Sequence, residues 1–493
     1  MKRTKNSTHL KPALAVGAFL VLLSCDSFSK SGDPVPSEDW PNIILFVSDD
    51  HGTDALGCYG NPIIKTPNLD KLASEGVLFA NAYCTSASCA ASRSVILSGL
   101  YGHATGSYGH VHDYHHFSTY DDINTLPKRL AEAGYTTARI GKYHLAPEKV
   151  YPFQQVLESN QRNTVQMADK CVDVINDTDP FFLYFCTSDP HRSAPFNPKR
   201  WDLPNRFGNK DEGYPGVEEV IYDPTEVMVP NFLPDTKQSR EELAQYYQSV
   251  SRIDYGFGRL MSLLEKAGKL DDTIVIYISD NGVAFPGAKT TVYEPGIKLP
   301  CIIKNPFKKN KGVINKTRIS WVDLAPTILD MANVPYDKEE FHGTSFNEVL
   351  DVEAAKGRDR IYASHTFHEI TMYYPMRVII DKNYKLIWNI AWRMEYPFAS
   401  DLWASSTWQS IYQNDVGNYG MRTVTDYMMR PEFELYDLAE DPDETNNLAL
   451  DKAHADLLKD LQKQLRDFQS KTSDPWLIMW DYDASLQGTG VNL

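Results

Sequence analysis

Three continuous apolar runs, Asn42–Ser48, Phe181–Cys186 and Thr273–Ser279, constrain this chain more than any other feature. Each is too short for a buried helix and lacks the alternation of a strand with one wet face. Each therefore predicts a strand covered on both faces, the pattern of a parallel sheet. Thr136–Gly141 is a shorter fourth strand, and helical periodicity over 126–133 and 240–267 separates the runs. Strands alternating with helices predict an α/β fold.

Every one of these strands ends in polar residues. The first runs into Asp49 and Asp50, the Thr136 strand into Lys142 and His144, the Phe181 strand into Asp189-Pro-His191, and the Thr273 strand into Asp280 and Asn281. In open α/β sheets ligands bind beyond the carboxyl ends of strands, so these four ends predict one site. Asp-Asp and Asp-Asn-Gly are each ordinary turn residues when taken alone. Brought together, carboxylates about 4 Å apart repel by about 4 kcal/mol at an effective dielectric near 20. A divalent cation removes that cost, and the all-oxygen donors Asp49, Asp50, Asp280 and Asn281 suit Ca²⁺ or Mg²⁺ rather than zinc.

The net charge of −16 over 493 residues argues against a general nucleic-acid binder, which needs a basic face. It leaves room for an anionic substrate in a locally positive pocket. The N-terminus is a separate matter. Lys2, Arg3, Lys5 and Lys11 precede an apolar stretch over 13–23, too short to span a bilayer, which ends Leu22-Leu-Ser-Cys25. This resembles a bacterial lipobox. Residues 1–24 are expected to be a lipoprotein signal peptide, with Cys25 lipidated and 25–39 a polar tether. The protein is then expected to be exported, a periplasmic or cell-surface lipoprotein touching a membrane only through lipid. The seven cysteines are irregularly spaced, with no C-x-x-C, and indicate neither a zinc site nor a disulfide framework.

One stretch decides the chemistry. Cys89-Ala-Ala-Ser-Arg-Ser-Val-Ile-Leu-Ser-Gly99 opens Cys-x-Ala-Ser-Arg and continues to Leu and Gly at the right spacing. It resembles the signature of the type I sulfatases, the formylglycine-dependent family of alkaline-phosphatase-like fold. A helix is predicted over 90–97, so Cys89 stands at its N-terminus, where anions are favoured, and Arg93 lies one turn in.

The resemblance implies a central, mostly parallel sheet flanked by helices, with a smaller C-terminal antiparallel sheet and helix. It implies that Cys89 is oxidised by a sulfatase-maturing enzyme to formylglycine, whose hydrate is the nucleophile. One Ca²⁺ is implied on Asp49, Asp50, Asp280, Asn281 and the modified Cys89. Arg93, Lys142 and Lys289 would be the cations around the sulfo group. His144 would be the base that releases sulfate, and His191 the proton donor to the leaving group. Ala91 stands where relatives often carry Pro, which bears on the maturing enzyme and not on the reaction.

Within the family the chain is similar to the sulfamidase branch. The stretches that carry this are Tyr108-Gly-His-Val-His-Asp-Tyr-His-His-Phe117, Val150-Tyr-Pro-Phe153, Asp189-Pro-His-Arg192 and Phe285-Pro-Gly287, then His368-Glu-Ile-Thr-Met372, Tyr374-Pro-Met-Arg377 and Asp474-Pro-Trp476. That branch implies hydrolysis of the N-sulfate of a terminal glucosamine in heparin or heparan sulfate fragments. His368, Glu369 and Arg377 become candidates for reading the sugar. The histidines at 110, 112, 115 and 116 are expected to be loop structure, as in that branch, rather than a transition-metal site. Trp392, Trp403, Trp408, Trp476 and Trp480 are expected to be mostly core. Self-association is implied by many relatives, without a legible interface. An O-sulfatase with the same core and a different pocket is the alternative. A phosphoesterase of the same fold would want a Ser or Thr nucleophile and histidine-ligated metals. A lipid-anchored glycan-binding protein would need no nucleophile.

The catalytic domain is expected over 40–372 and a C-terminal subdomain over 373–493. There, 377–388 predicts a hairpin, 433–436 a strand and 452–469 a helix. The acidic run 437–444 lacks EF-hand spacing and predicts a solvated turn. Residues 389–430 are aromatic-rich, without periodicity.

Overall fold

The computed structural model describes residues 40–177, 180–193, 199–309 and 311–482. The expected signal peptide, Cys25 and most of the tether lie outside them. No helix among the described residues is long and apolar enough to cross a membrane.

The large sheet has eight strands: β1 Asn42–Ser48, β2 Val77–Tyr83, β3 Thr136–Gly141, β4 Gln155–Leu157, β5 Phe181–Cys186, β6 Thr273–Ser279, β7 Cys301–Lys304 and β8 Val313–Ser320. Their order is β4-β3-β5-β1-β6-β7-β2-β8. Every pairing is parallel except those of β7, which runs against β6 and β2. The four strands expected from apolar runs coincide with β1, β3, β5 and β6, and these four are neighbours at the centre of the sheet. Their continuous apolarity has a direct cause. Ile43, Leu45 and Val47 enter one core while Ile44 and Phe46 enter the other, so both faces of β1 are covered.

Helix α1, Cys89–Ser98, is buried at every position, which explains its weak amphipathic pattern. Helix α2, Lys237–Lys266, is N-capped by the Thr236 side chain. It places Leu243, Tyr246 and Val250 in one core and Ile253, Phe257, Leu260 and Leu264 in the other.

A second, antiparallel sheet joins β9 Arg360–Phe367, β10 Tyr373–Asp381 and β11 Tyr384–Asn389 to a later strand, Phe433–Asp437. Between them lie a two-strand ribbon, β12 Asn418–Tyr419 and β13 Arg422–Thr423, and the short helix α3, Ser400–Trp403. The strand Phe433–Asp437 is thus β14, and helix α4, Ala455–Lys471, lays Leu461 and Leu465 on β10 and β11. The smaller sheet begins at β9, ahead of the expected boundary at 372, because β9 pairs with β10 from Arg360 to Phe367. The acidic run is a turn, yet Glu444 within it is buried, its carboxylate 2.7 Å from Lys385 Nζ. All six described cysteines are free, including Cys89.

Candidate active site

The parallel arrangement of β1, β3, β5 and β6 carries their C-terminal residues to one edge of the sheet. Asp49 N donates to Asp189 O at 2.9 Å and Asp280 N donates to Ser48 O at 3.1 Å, which stitches three strand ends together. Gly141, at the end of β3, has φ +84°, and a Cβ there would stand 1.9 Å from Cys186 O, so only glycine lets β3 and β5 approach this closely. Lys142 comes immediately after it. Asp50 and His144 hold left-handed backbone at φ 68° and 55°, costly conformations for non-glycine residues and frequent at functional sites.

Asp49, Asp50, Cys89, Arg93, Asp280, Asn281 and Lys289 are all buried and form one connected cluster. Lys142 Nζ donates to Asp49 Oδ2 at 2.5 Å. Lys289 Nζ donates to Asp50 Oδ2 at 2.9 Å, and Asn281 Nδ2 donates to Asp50 Oδ1 at 2.6 Å. Arg93 Nε donates to Asp280 Oδ2 at 2.8 Å, while its Nη1 donates to Lys142 O at 3.0 Å. Cys89 Sγ is 3.9 Å from Asp50 Oδ1. His191 Nε2 lies 3.0 Å from Lys289 Nζ, and its Nδ1 is 2.7 Å from Arg192 O, which assigns the ring proton to Nδ1.

Burial sets the protonation states. It would raise Asp49, but Lys142, Arg93 and Lys289 hold it well below the usual carboxylate range. Asp50 and Asp280 are pushed up by burial to about 6 and about 7, against the pull of Lys289 and Arg93 respectively. Burial and then Lys289 lower His191 to about 3, and burial with Lys142 lowers His144 well below an ordinary imidazole. Both histidines are neutral in the free site.

The residues fit a hard divalent cation. Asp49 Oδ1 and Asn281 Oδ1 are buried with no hydrogen-bond partner, a costly state that a cation relieves. One ligand atom from each of Asp49, Asp50 and Cys89 lies within 4.8 Å of the others. Carboxylate and amide oxygens favour Ca²⁺ or Mg²⁺. Arg93 Nη2 is also buried without a partner, 4.0 Å from Asp49 Oδ1.

A cavity of about 760 Å³ opens beside the cluster, and Lys142, His144, His191, His368, Glu369 and Asp401 contribute to its wall. A separate cavity of about 450 Å³, bounded by Tyr293, Arg422 and Glu444 among others, contains none of these groups. His368 is buried, with Nδ1 2.9 Å from Ser88 Oγ, and Glu369 accepts from Ser400 N at 3.0 Å. Both line the larger cavity.

Arg377 does not. It is buried against Asp474, with Nε–Oδ2 at 2.5 Å and Nη2–Oδ1 at 2.9 Å, and is absent from the cavity wall. The expected sugar-reading role is replaced by a structural one, a bidentate pair joining β10 to the segment after α4. Burial would raise Asp474, but Arg377 holds it at about 2. The pair therefore contributes fully above about pH 4 and is lost as pH falls through about 2. Asp474→Asn leaves a buried guanidinium uncompensated and is expected to cost about 3–5 kcal/mol in urea unfolding at neutral pH. KM is expected to stay unchanged, and a shifted KM would return Arg377 to the substrate.

None of the five tryptophans lines the cavity. Trp408 is buried, Trp480 stacks on Trp388 at 3.9 Å, and Trp476 stands over Arg377. Asp401 was not legible from periodicity. It sits in α3, inside the aromatic-rich stretch, and its Oδ2 accepts from Lys289 Nζ at 3.2 Å while Oδ1 is buried and unpaired. Burial raises it, but Lys289 together with Arg192 and other neighbours brings it down to about 2.

Residues 41–334 match the family model described as Sulfatase. The chain belongs to the sulfatase family. Residues 287–415 match a further model, described as N-sulphoglucosamine sulphohydrolase, C-terminal. The sulfatase is 36% identical over 462 residues to human N-sulphoglucosamine sulphohydrolase, covering 89% of this chain and 92% of that one. It is 26% identical to an N-acetylglucosamine-6-O-sulfatase of Bacteroides thetaiotaomicron, covering 92% and 91%. A solved structure described as a complex with its substrate D-glucosamine-2-N,6-O-disulfate aligns with TM-score 0.64 and 25% identity, covering 88% of this chain and 99% of that one. The sulfatase is accordingly a hydrolase of sulfate esters or sulfamates on an alkaline-phosphatase-like fold.

Proposed function

We propose that this sulfatase hydrolyses the N-sulfate of a terminal glucosamine in heparan-type glycosaminoglycan fragments. The observation that carries the reading is where the second family model falls. Residues 287–415 supply Lys289, His368, Glu369 and Asp401, the C-terminal part of the site and its cavity wall. The similarity to the N-sulphoglucosamine family model thus extends beyond the reactive cluster to the wall of the cavity.

Sulfatases generally use Ca²⁺ and formylglycine. In this chain Asp49, Asp50, Asp280 and Asn281 would hold the ion, and Cys89 would be converted by a maturing enzyme. When present, the ion and the aldehyde hydrate supply charge neutralisation and an oxygen nucleophile in place of a buried thiol.

The chain's own residues do the rest. Arg93, Lys142 and Lys289 surround Cys89 with three fixed positive groups, which bind a sulfo group and stabilise the charge that grows on its oxygens. The leaving atom is nitrogen, and an amide anion is too basic to depart unprotonated. His191 is placed to supply that proton through Nε2. It is neutral in the free site because of burial and Lys289, and an anionic sulfo group beside Lys289 offsets that repulsion and raises the imidazole. Neutral His144 is placed to accept the proton whose removal releases sulfate. Residues 1–39 carry the further proposal of export as a lipid-anchored protein.

The second reading is an O-sulfatase, favoured by the likeness to the 6-O-sulfatase. The two are separated by following sulfate release from N-sulfoglucosamine and, in parallel, from N-acetylglucosamine 6-O-sulfate, with calcium and co-expressed maturing enzyme. Release from the first alone is expected. Release from the second alone replaces the proposed substrate.

A further inference from the structure

Two histidines of the loop expected to be mere loop structure join His144, just beyond β3, in a second donor set. We propose that His110, His112 and His144 form a binding site for a borderline divalent cation, zinc above all, distinct from the oxygen cluster, and that its occupation inhibits the enzyme.

One nitrogen from each of the three rings lies within 4.8 Å of the other two. A tetrahedral zinc with Zn–N near 2.1 Å keeps its nitrogens about 3.4 Å apart, so ring movements of about an ångström complete the site. The left-handed backbone of His144 (φ 55°) brings its ring against His110 and His112, at centroid distances of 5.1 and 5.0 Å. Both ring nitrogens of His144 and Nε2 of His110 are buried with no hydrogen-bond partner. Buried imidazole nitrogens are ordinarily satisfied, and a cation is the partner that three converging lone pairs can share.

The surroundings are built to hold two of the rings. His110 N donates to His368 O at 2.8 Å, and the His110 ring packs on that of His368 at 4.0 Å. His112 Nδ1 lies 2.6 Å from Asp113 Oδ2, the carboxylate–imidazole arrangement that fixes a ring and leaves Nε2 for a metal. His115 serves differently, since its Nδ1 accepts from Ile370 N at 3.0 Å and ties the loop to the segment beyond β9. The three rings line the large cavity, leaving a fourth coordination position open to it.

The two donor sets share no residue and differ in kind. Oxygen donors select calcium at one, and three imidazoles select zinc, nickel or copper at the other. A cation held there uses the His144 lone pair, so hydrolysis stops. The inhibition, though not the binding, rests on the proposed hydrolysis and on the part of His144 in it.

The test is isothermal titration of zinc chloride into the full-length, calcium-loaded protein, with His112→Ala and Cys89→Ala beside it. His112 is exposed, so its replacement leaves the fold intact. One zinc per chain is expected, retained in Cys89→Ala and weakened at least tenfold in His112→Ala. Failure to bind zinc, equal binding by His112→Ala, or loss in Cys89→Ala instead overturns the site. In parallel, zinc is expected to stop sulfate release by the wild type, and His112→Ala to resist it. Zinc bound at full turnover overturns the inhibition. A protein with no turnover of N-sulfoglucosamine contradicts the proposed function, while the titration still decides the metal site.

Discussion

Cys89→Ala is expected to lower sulfate release at least about 10⁴-fold, the scale on which removal of a covalent nucleophile acts. The stability of the fold should move by no more than about 1 kcal/mol, because a small buried side chain is replaced by one slightly smaller. The physical reason lies in the surroundings of the thiol. Burial, together with Asp49 and Asp50, raises it well above an ordinary cysteine despite Lys142 and Lys289, so at neutral pH it is protonated and a poor nucleophile. An unmodified Cys89 is therefore nearly as inert as alanine. Protein made without a maturing enzyme should show the same loss with the thiol intact by mass spectrometry. Turnover by that unmodified protein comparable to the matured form would remove the nucleophile from position 89.

His191→Ala is expected to lower hydrolysis of N-sulfoglucosamine by about 10²–10⁴-fold, the usual span for a positioned general acid. An aryl sulfate with an acidic phenol needs no proton on departure, so the same variant should lose far less against it. Only proton donation predicts that split. Loss of a structural contact, such as the 3.0 Å approach to Lys289, would depress both substrates alike. Equal losses on the two substrates would assign His191 to holding Lys289.

Much of this architecture was legible in the chain. The central strands are apolar on both faces and end in polar residues, so pattern alone gives their bounds and their convergence, and β1, β3, β5 and β6 fall where the runs lie. Helix α2 showed the same clarity because its buried face is long. The antiparallel β7 and the short β4 escaped, since Cys301–Lys304 and Gln155–Leu157 are too brief to carry a period, and β2 and β8 escaped because each mixes buried with part-exposed positions in place of a continuous apolar run. Within the C-terminal wall of the cavity, where His368 and Glu369 are candidates from sequence, Asp401 escaped for another reason. Asp401 comes from a four-residue helix inside an aromatic cluster of Phe398, Trp403, Trp408 and Tyr427, whose packing is tertiary and leaves no local signature. Arg377 misled because an arginine beside a substrate-reading stretch resembles one that touches the substrate. Its true partner, Asp474, lies 97 residues away in sequence. The loop histidines are legible as a cluster, but only the fold turns His110 and His112 toward His144 while His115 ties the loop to Ile370.

Breaking of a sulfur–nitrogen bond is the reaction proposed for this site. It is tested most directly by one sugar carrying both choices, D-glucosamine-2-N,6-O-disulfate. Matured, calcium-loaded enzyme is incubated with it, and the first product is identified by mass spectrometry and proton NMR. The expected first product is glucosamine 6-O-sulfate with a free amine at carbon 2. N-sulfoglucosamine with a free 6-hydroxyl as the first product would contradict it.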